Sequence, residues 1–166
     1  QITLVKDINA GTDQSNPTAK CVYNGYVYFA ASTGVSLTNR ELWRSDGTEA
    51  GTTLVKDINP VVNASGNPNG LIVFNNALFF SANDGINGTE LWKSDGTGTG
   101  TVMLKDIVSG VNSSQPAEFT LFNNALYFTV TNSGDGKKFA LWKTDGTATG
   151  TEVVKDINTI TQFADI

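Results

Sequence analysis

Glu90-Leu91-Trp92-Lys93-Ser94-Asp95-Gly96-Thr97, with Gly100-Thr101 and Leu104-Lys105-Asp106-Ile107 behind it, decides the fold because it is not alone. Glu41-Leu42-Trp43-Arg44-Ser45-Asp46-Gly47-Thr48 leads to Gly51-Thr52 and Leu54-Val55-Lys56-Asp57-Ile58. Ala140-Leu141-Trp142-Lys143-Thr144-Asp145-Gly146-Thr147 leads to Gly150-Thr151 and Val154-Lys155-Asp156-Ile157. Trp43, Trp92 and Trp142 stand 49 and 50 residues apart. A period of that length marks an array of supersecondary units.

Working outward, each unit repeats the same pieces. Pro17, Pro68 or Pro116 precedes a short apolar run that ends on Tyr23, Phe74 or Phe122. Asn24-Gly25, Asn75-Asn76 or Asn123-Asn124 follows, residues that accept the positive φ of a tight hairpin turn. The next run is aromatic: Tyr26 to Phe29, Ala77 to Phe80, Ala125 to Phe128. A variable loop then leads to the Leu-Trp strand. The Asp-Gly-Thr turn joins that strand to the Lys-Asp strand. No stretch has helical periodicity, so the chain reads as all-β, four antiparallel strands per unit. The first two strands are nearly continuous in apolar residues, which predicts burial on both faces. The fourth puts Lys and Asp on opposite faces, which belongs at a sheet edge.

The Lys-Asp pair occurs four times, at 6-7, 56-57, 105-106 and 155-156, against three tryptophans. The organisation expected is an orphan outer strand at 1–9, repeats at 10–59, 60–108 and 109–158, and a tail at 159–166, all in one domain. Gln1 opens the chain without Met, which reads as a processed product or an excised piece.

Four strands per unit, apolar within and charged at the outer edge, describe a propeller blade. The pattern Glu-Leu-Trp-x-x-Asp-Gly-Thr-x-x-Gly-Thr-x-x-Val-Lys-Asp-Ile resembles the ELWxxDGT repeat of large secreted bacterial proteins. That resemblance implies an extracellular, propeller-like repeat module and no particular activity. Ala140 departs from it, as does Met103-Leu104. Propellers usually have four to eight blades. Three repeats therefore belong to a longer array, pair with a second copy into six blades, or close as a β-trefoil. The surplus strand at the N-terminus favours completion or exchange between chains, giving a homo-oligomer or a filament.

Composition narrows the function. With 166 residues, a net charge of −5 and no histidine, the chain lacks the basic stripe that nucleic acid requires and the commonest general base and metal ligand. No apolar run reaches the length of a membrane span. Cys21, the single cysteine, excludes an internal disulfide and reads as a small hydrophobe. Trp43, Trp92 and Trp142 could serve as sugar-stacking platforms, but packing between blades is the stronger reading. Asp46, Asp95 and Asp145, each followed by Gly47, Gly96 or Gly146, could contribute to a Ca²⁺ loop. One carboxylate per turn is too few hard ligands, and an Asx-type turn accounts for them. The Lys-Asp ladder reads as ion pairing between blades or solvated edge charge. Ligand binding, of a glycan or Ca²⁺, is assigned to the variable loops, at Asn83, Asp84 and Asn87 in one and Asn132 and Asp135 in another. Asn63, Asn87 and Asn112 begin N-glycosylation patterns. No catalytic constellation is present. The function expected is a non-catalytic, self-assembling structural or interaction module, with a multivalent carbohydrate-binding propeller as the alternative.

Overall fold

The computed structural model describes residues 2–131 and 139–156. It is all-β. Sheet 1 holds β1 (Thr18–Tyr23), β2 (Tyr26–Ser32), β3 (Arg40–Ser45) and β4 (Thr53–Lys56). Sheet 2 holds β5 (Asn69–Phe74), β6 (Ala77–Asn83), β7 (Thr89–Ser94) and β8 (Val102–Lys105). Sheet 3 holds β9 (Ala117–Phe122), β10 (Ala125–Val130), β11 (Ala140–Thr144) and β12 (Glu152–Asp156). Each is an antiparallel meander in which every strand pairs with its neighbours in sequence. One 3-10 turn, Val35–Leu37, interrupts the loop between β2 and β3.

The hairpin turns form as their residues demand. Asn24 and Gly25 have φ of 46° and 78°, Asn75 and Asn76 46° and 54°, Asn123 and Asn124 46° and 57°. Two consecutive positive φ values give the turn twist that suits antiparallel strands. Each first strand carries a register shift, next to a positive φ at Ala19, Gly70 or Glu118. Each fourth strand shifts register opposite the Leu-Trp pair. Such bulges add local twist.

The three sheets stack face on face. β1 lies beside β5, and β5 beside β9. Between sheets 1 and 2, Tyr23, Tyr28, Leu42 and Ile58 meet Leu78, Phe80, Ala82 and Trp92. Between sheets 2 and 3, Phe74 and Phe79 meet Leu126, while Leu91 meets Phe128 and Val130. Each sheet therefore has a leading face, carrying Trp, and a trailing face, carrying the Leu before it. The pleat alone separates these two neighbours to opposite faces.

Burial follows from position in the sheet. β6, flanked on both sides and covered on both faces, is buried from Ala77 to Ala82. The first strands are not buried on both faces as their composition predicts: in β1 exposed and half-buried residues alternate as far as Tyr23, and Val22 is 71% exposed. Every first strand is the edge of its sheet, with no strand beyond it, so even β5 in the middle sheet buries only Phe74. β1 and β9, on the end sheets, also have a neighbouring sheet on only one face. The fourth strands do lie at sheet edges, as their charges predict. Residues 2–9, expected as an outer strand, pair with no strand among the described residues; they run across the leading face of sheet 1.

Candidate functional site

The recurring stretch builds two devices, a self-closed turn and a latch between sheets. In the turn, Asp46 Oδ1 accepts the Thr48 N–H at 2.9 Å and the Thr48 hydroxyl at 2.7 Å. Thr48 Oγ1 accepts the Gly51 N–H at 2.9 Å. The Thr52 hydroxyl donates to the Thr48 carbonyl at 2.6 Å, so its lone pair receives the Ser45 hydroxyl at 2.7 Å. Ser45 Oγ in turn accepts the Gly47 N–H at 3.0 Å. The Asp95 and Asp145 turns repeat every bond. Bonds from the Thr hydroxyl and amide hold all three Asp carboxyls below their ordinary value. The pattern Ser/Thr-Asp-Gly-Thr-x-x-Gly-Thr is thus one hydrogen-bonded ring, in which one oxygen of each Asp, Oδ1, takes both bonds from Thr. A Cβ at Gly100 would strike the Asp95 carboxyl, which requires glycine there.

Gly47, Gly96 and Gly146 sit at φ of 92°, 93° and 97°. Their surroundings differ, which gives a test. A Cβ at Gly47 meets nothing within 4 Å, whereas one at Gly96 strikes the Tyr28 hydroxyl of sheet 1. Gly47→Ala is expected to cost about 1–2 kcal/mol, from backbone strain alone. Gly96→Ala is expected to cost at least 1 kcal/mol more, because the sheets must also part. Urea unfolding of the two variants checks this; equal losses would show that the turn does not touch its neighbour.

The latch is glutamate. Glu41 is 2% exposed and Glu90 fully buried. Glu41 accepts the Ile58 N–H at 2.8 Å and the Gly66 N–H at 2.6 Å. Glu90 accepts the Ile107 N–H at 2.8 Å, the Ser114 N–H at 2.9 Å and the Ser114 hydroxyl at 2.6 Å. Each carboxylate thus ties the end of its own sheet's outer strand to the first residues of the next repeat. Burial pushes the Glu41 carboxyl up to about 7 and raises that of Glu90, against the pull of those donors. Asp57 and Asp106 push in the same direction.

Cations add ties across the stack. Arg44 donates to the Gly96 carbonyl at 3.3 Å and Lys93 to the Gly146 carbonyl at 3.1 Å. Lys105 donates to the Ala148 carbonyl at 3.2 Å. The lysines at 6 and 105 therefore bond backbone carbonyls of the following turn rather than ladder aspartates. Carbonyls at these turns point outward, within reach of a long side chain, and a local Thr ring already holds the turn aspartate.

Trp92 and Trp142 lie in the packing between sheets, whereas Trp43 stands half-buried on the leading face of sheet 1. Trp92 is 6% exposed, between sheets 1 and 2, and Trp142 stacks on Phe128 at 6.5 Å between ring centroids. Nε1 of Trp43, Trp92 and Trp142 is buried without an acceptor among the described residues. In the loop after β6, Asp84 Oδ1 accepts the Ile86 and Asn87 amides at 2.9 and 2.7 Å. Asp84 Oδ2 accepts Asn87 Nδ2 at 2.7 Å, and Asn83 Oδ1 accepts the Gly85 N–H at 2.7 Å. Partial burial works to raise the Asp84 carboxyl, but these bonds outweigh it and hold it low. Asp84 and Asn87 are thus bonded to each other, and Asn83 to the Gly85 backbone. Asn132 and Asp135 lie outside the described residues. Among the described residues no group of three or more His, Cys, Asp or Glu could hold a metal ion. No helix there is long and apolar enough to cross a membrane. Cys21 is half-buried, and burial raises its thiol.

The latch is the element that residue-level reading leaves hidden. Its signal is an acid placed immediately before the Leu-Trp pair of the third strand in two of the three repeats.

No protein-family model matches the chain, and no curated protein matches it.

Proposed function

We propose that the chain is a non-catalytic, extracellular structural module whose three sheets are propeller-type blades, and that it assembles with copies of itself. One observation carries this: the two outer faces of the stack are the two halves of a junction that occurs twice inside it. On the leading face of sheet 1, Val22, Val27 and Leu54 are 71%, 38% and 46% exposed, whereas Leu78, at the place of Val27 in sheet 2, is fully buried. On the trailing face of sheet 3, Phe122 and Val154 are 60% and 45% exposed, whereas Phe74, at the place of Phe122, is 7% exposed. A contact between unlike faces repeats head to tail until it closes as a ring or extends as a fibre. Two copies supply six blades, within the usual range for a closed propeller.

The surplus Lys-Asp segment gives the contact its form. Residues 2–8 of one copy and β12 of the next contend for the same outer-strand place, so one strand is displaced or exchanged. The blade reading is supported by each repeat forming its own meander sheet. The extracellular reading draws on the low charge and on the resemblance to the ELWxxDGT repeat. The buried carboxylates bind backbone amides, which leaves them no substrate to act on.

Light scattering across a concentration series is expected to give a mass of twice 17.6 kDa or more. Val22→Asp on one face and Phe122→Asp on the other are each expected to weaken association roughly tenfold or more, since each places an unpaired charge in an apolar contact. A 17.6 kDa species at all concentrations overturns the reading and favours a closed trefoil.

A further inference from the structure

Residues 4–17 repeat, against sheet 1, what residues 54–68 and 103–116 do against sheets 2 and 3. Lys6 Nζ donates to the Thr52 carbonyl at 3.0 Å and the Glu49 carbonyl at 3.4 Å, in the turn of sheet 1, as Lys105 does in the turn of sheet 3. The Ser15 carbonyl accepts the Ser32 N–H at 2.9 Å. The Gly66 carbonyl accepts the Asn83 N–H at 2.8 Å, and the Ser114 carbonyl the Thr131 N–H at 3.1 Å. Asn9 and Asn59, at matching places, are 8% and 6% exposed. The head of the chain is therefore already shaped as the receiving half of a junction.

Inside the stack, the space beneath the outer strand is filled by the preceding sheet. Tyr28 and Leu42 fill it at one junction, and Phe79 and Leu91 sit at the same places at the other. At the head there is instead an apolar cavity of about 370 Å³, lined by Leu4, Val5, Ile8, Pro17, Val27 and Phe29. Ile8 and Ser15 both border it. Their amides correspond to those of Ile107 and Ser114, with the same spacing of seven residues, and have no acceptor among the described residues. Ser15 also keeps the hydroxyl with which Ser114 reaches Glu90.

We propose that this head cleft takes one further sheet of the same repeat, and specifically one whose third strand carries Glu immediately before Leu-Trp. Its aromatic and leucine side chains fill the cavity, and its carboxylate accepts the Ile8 and Ser15 N–H groups. The trailing face of sheet 3 brings Tyr127 and Leu141 to the corresponding places, but Ala140 where the carboxylate is needed. Sheet 3 is thus a weakened occupant, and the residue before Leu-Trp sets how strongly one sheet joins the next. Only the Ala140 part of this rests on self-assembly.

Two arms separate the ideas. In the first, residues 60–99 are placed directly ahead of Gln1 of the full chain, which preserves the Glu-to-Ile spacing because Gln1 stands where Gly100 does. Amide exchange at Ile8 and Ser15 is expected to slow by roughly tenfold or more, the effect of a charge-assisted hydrogen bond. Glu90→Ala in the added segment is expected to restore fast exchange. Exchange that stays fast in the fusion, or stays slow without the glutamate, overturns the proposal. In the second arm, Ala140→Glu in the unextended chain is expected to tighten head-to-tail association roughly ten- to hundredfold by sedimentation equilibrium, with Ala140→Gln well short of that. Tightening by Ala140→Glu supports both readings. Glutamate-dependent protection in the fusion beside a monomeric Ala140→Glu chain supports the cleft and overturns self-assembly.

Discussion

Phe80→Ala is expected to remove about 3–5 kcal/mol of stability, the range for an aromatic truncated in a tight core. Phe80 is fully buried and stands in β6, the strand covered on both faces. It packs across the junction against Tyr23, Tyr28, Leu42 and Ile58. Its loss therefore opens a cavity between two sheets as well as within one. Because domains of this size hold only about 5–15 kcal/mol in total, the variant should be partly unfolded in mild denaturant. Val22→Ala, on the open leading face, is the matched control, expected to stay within about 0.5 kcal/mol. Guanidinium titrations of the pair decide it. Similar losses at both positions would mean that the sheets do not stack as described.

Glu90→Ala is expected to cost about 3 kcal/mol or more. Removing the carboxylate leaves the Ile107 amide, the Ser114 amide and the Ser114 hydroxyl without their acceptor, at about 1–3 kcal/mol for each buried donor left unmade. Glu90→Gln should cost less but not nothing, since its amide nitrogen must face a donor. The same latch carries a pH signature. Glu41 titrates near 7 in the folded chain, above its ordinary value of 4.5. Its contribution is therefore complete below about pH 4.5 and is lost as pH rises toward about 7. The turn aspartates act oppositely: their carboxyls are lowered, so their contribution is held above an ordinary value of 3.8 and fades below it. Melting temperature should thus decline between about pH 4.5 and 7, and Glu41→Gln should flatten that decline. A wild-type profile that rises through this window would sink the assignment.

Period and turn chemistry made the meander legible from residues alone. Asn-Gly and Asn-Asn pairs have few backbone options between apolar runs, and Asp-Gly-Thr has one economical way to close on itself. Trp92 and Trp142 were legible as packing for a similar reason, since a large ring in mid-strand, alternating with leucine, has a neighbouring sheet on its side there, whereas Trp43 stands on the open leading face of sheet 1. The latch was not. Glu41 bonds amides 17 and 25 residues further on, and no local rule connects an acid to distant backbone. The carbonyl partners of Lys6 and Lys105 were not legible either, because charge pattern alone points to carboxylates or to solvent. The exposed side of β1 depends on what lies beyond sheet 1, and composition does not record that.

Sheet 2 alone among the three is covered on both of its faces by other sheets, while every strand pairing joins neighbours in sequence. Such a stack behaves as a short one-dimensional chain of coupled units, in which local pairing forms early and docking propagates between neighbours. Order should begin at the middle unit and melt inward from the ends. Native-state hydrogen exchange is expected to be slowest in β6 and β7, with sheets 1 and 3 opening at lower free energy. Uniform protection across all three would mean one cooperative body instead. The module's working life then depends on its ends, and joining a further unit would protect by removing a place where unfolding can start.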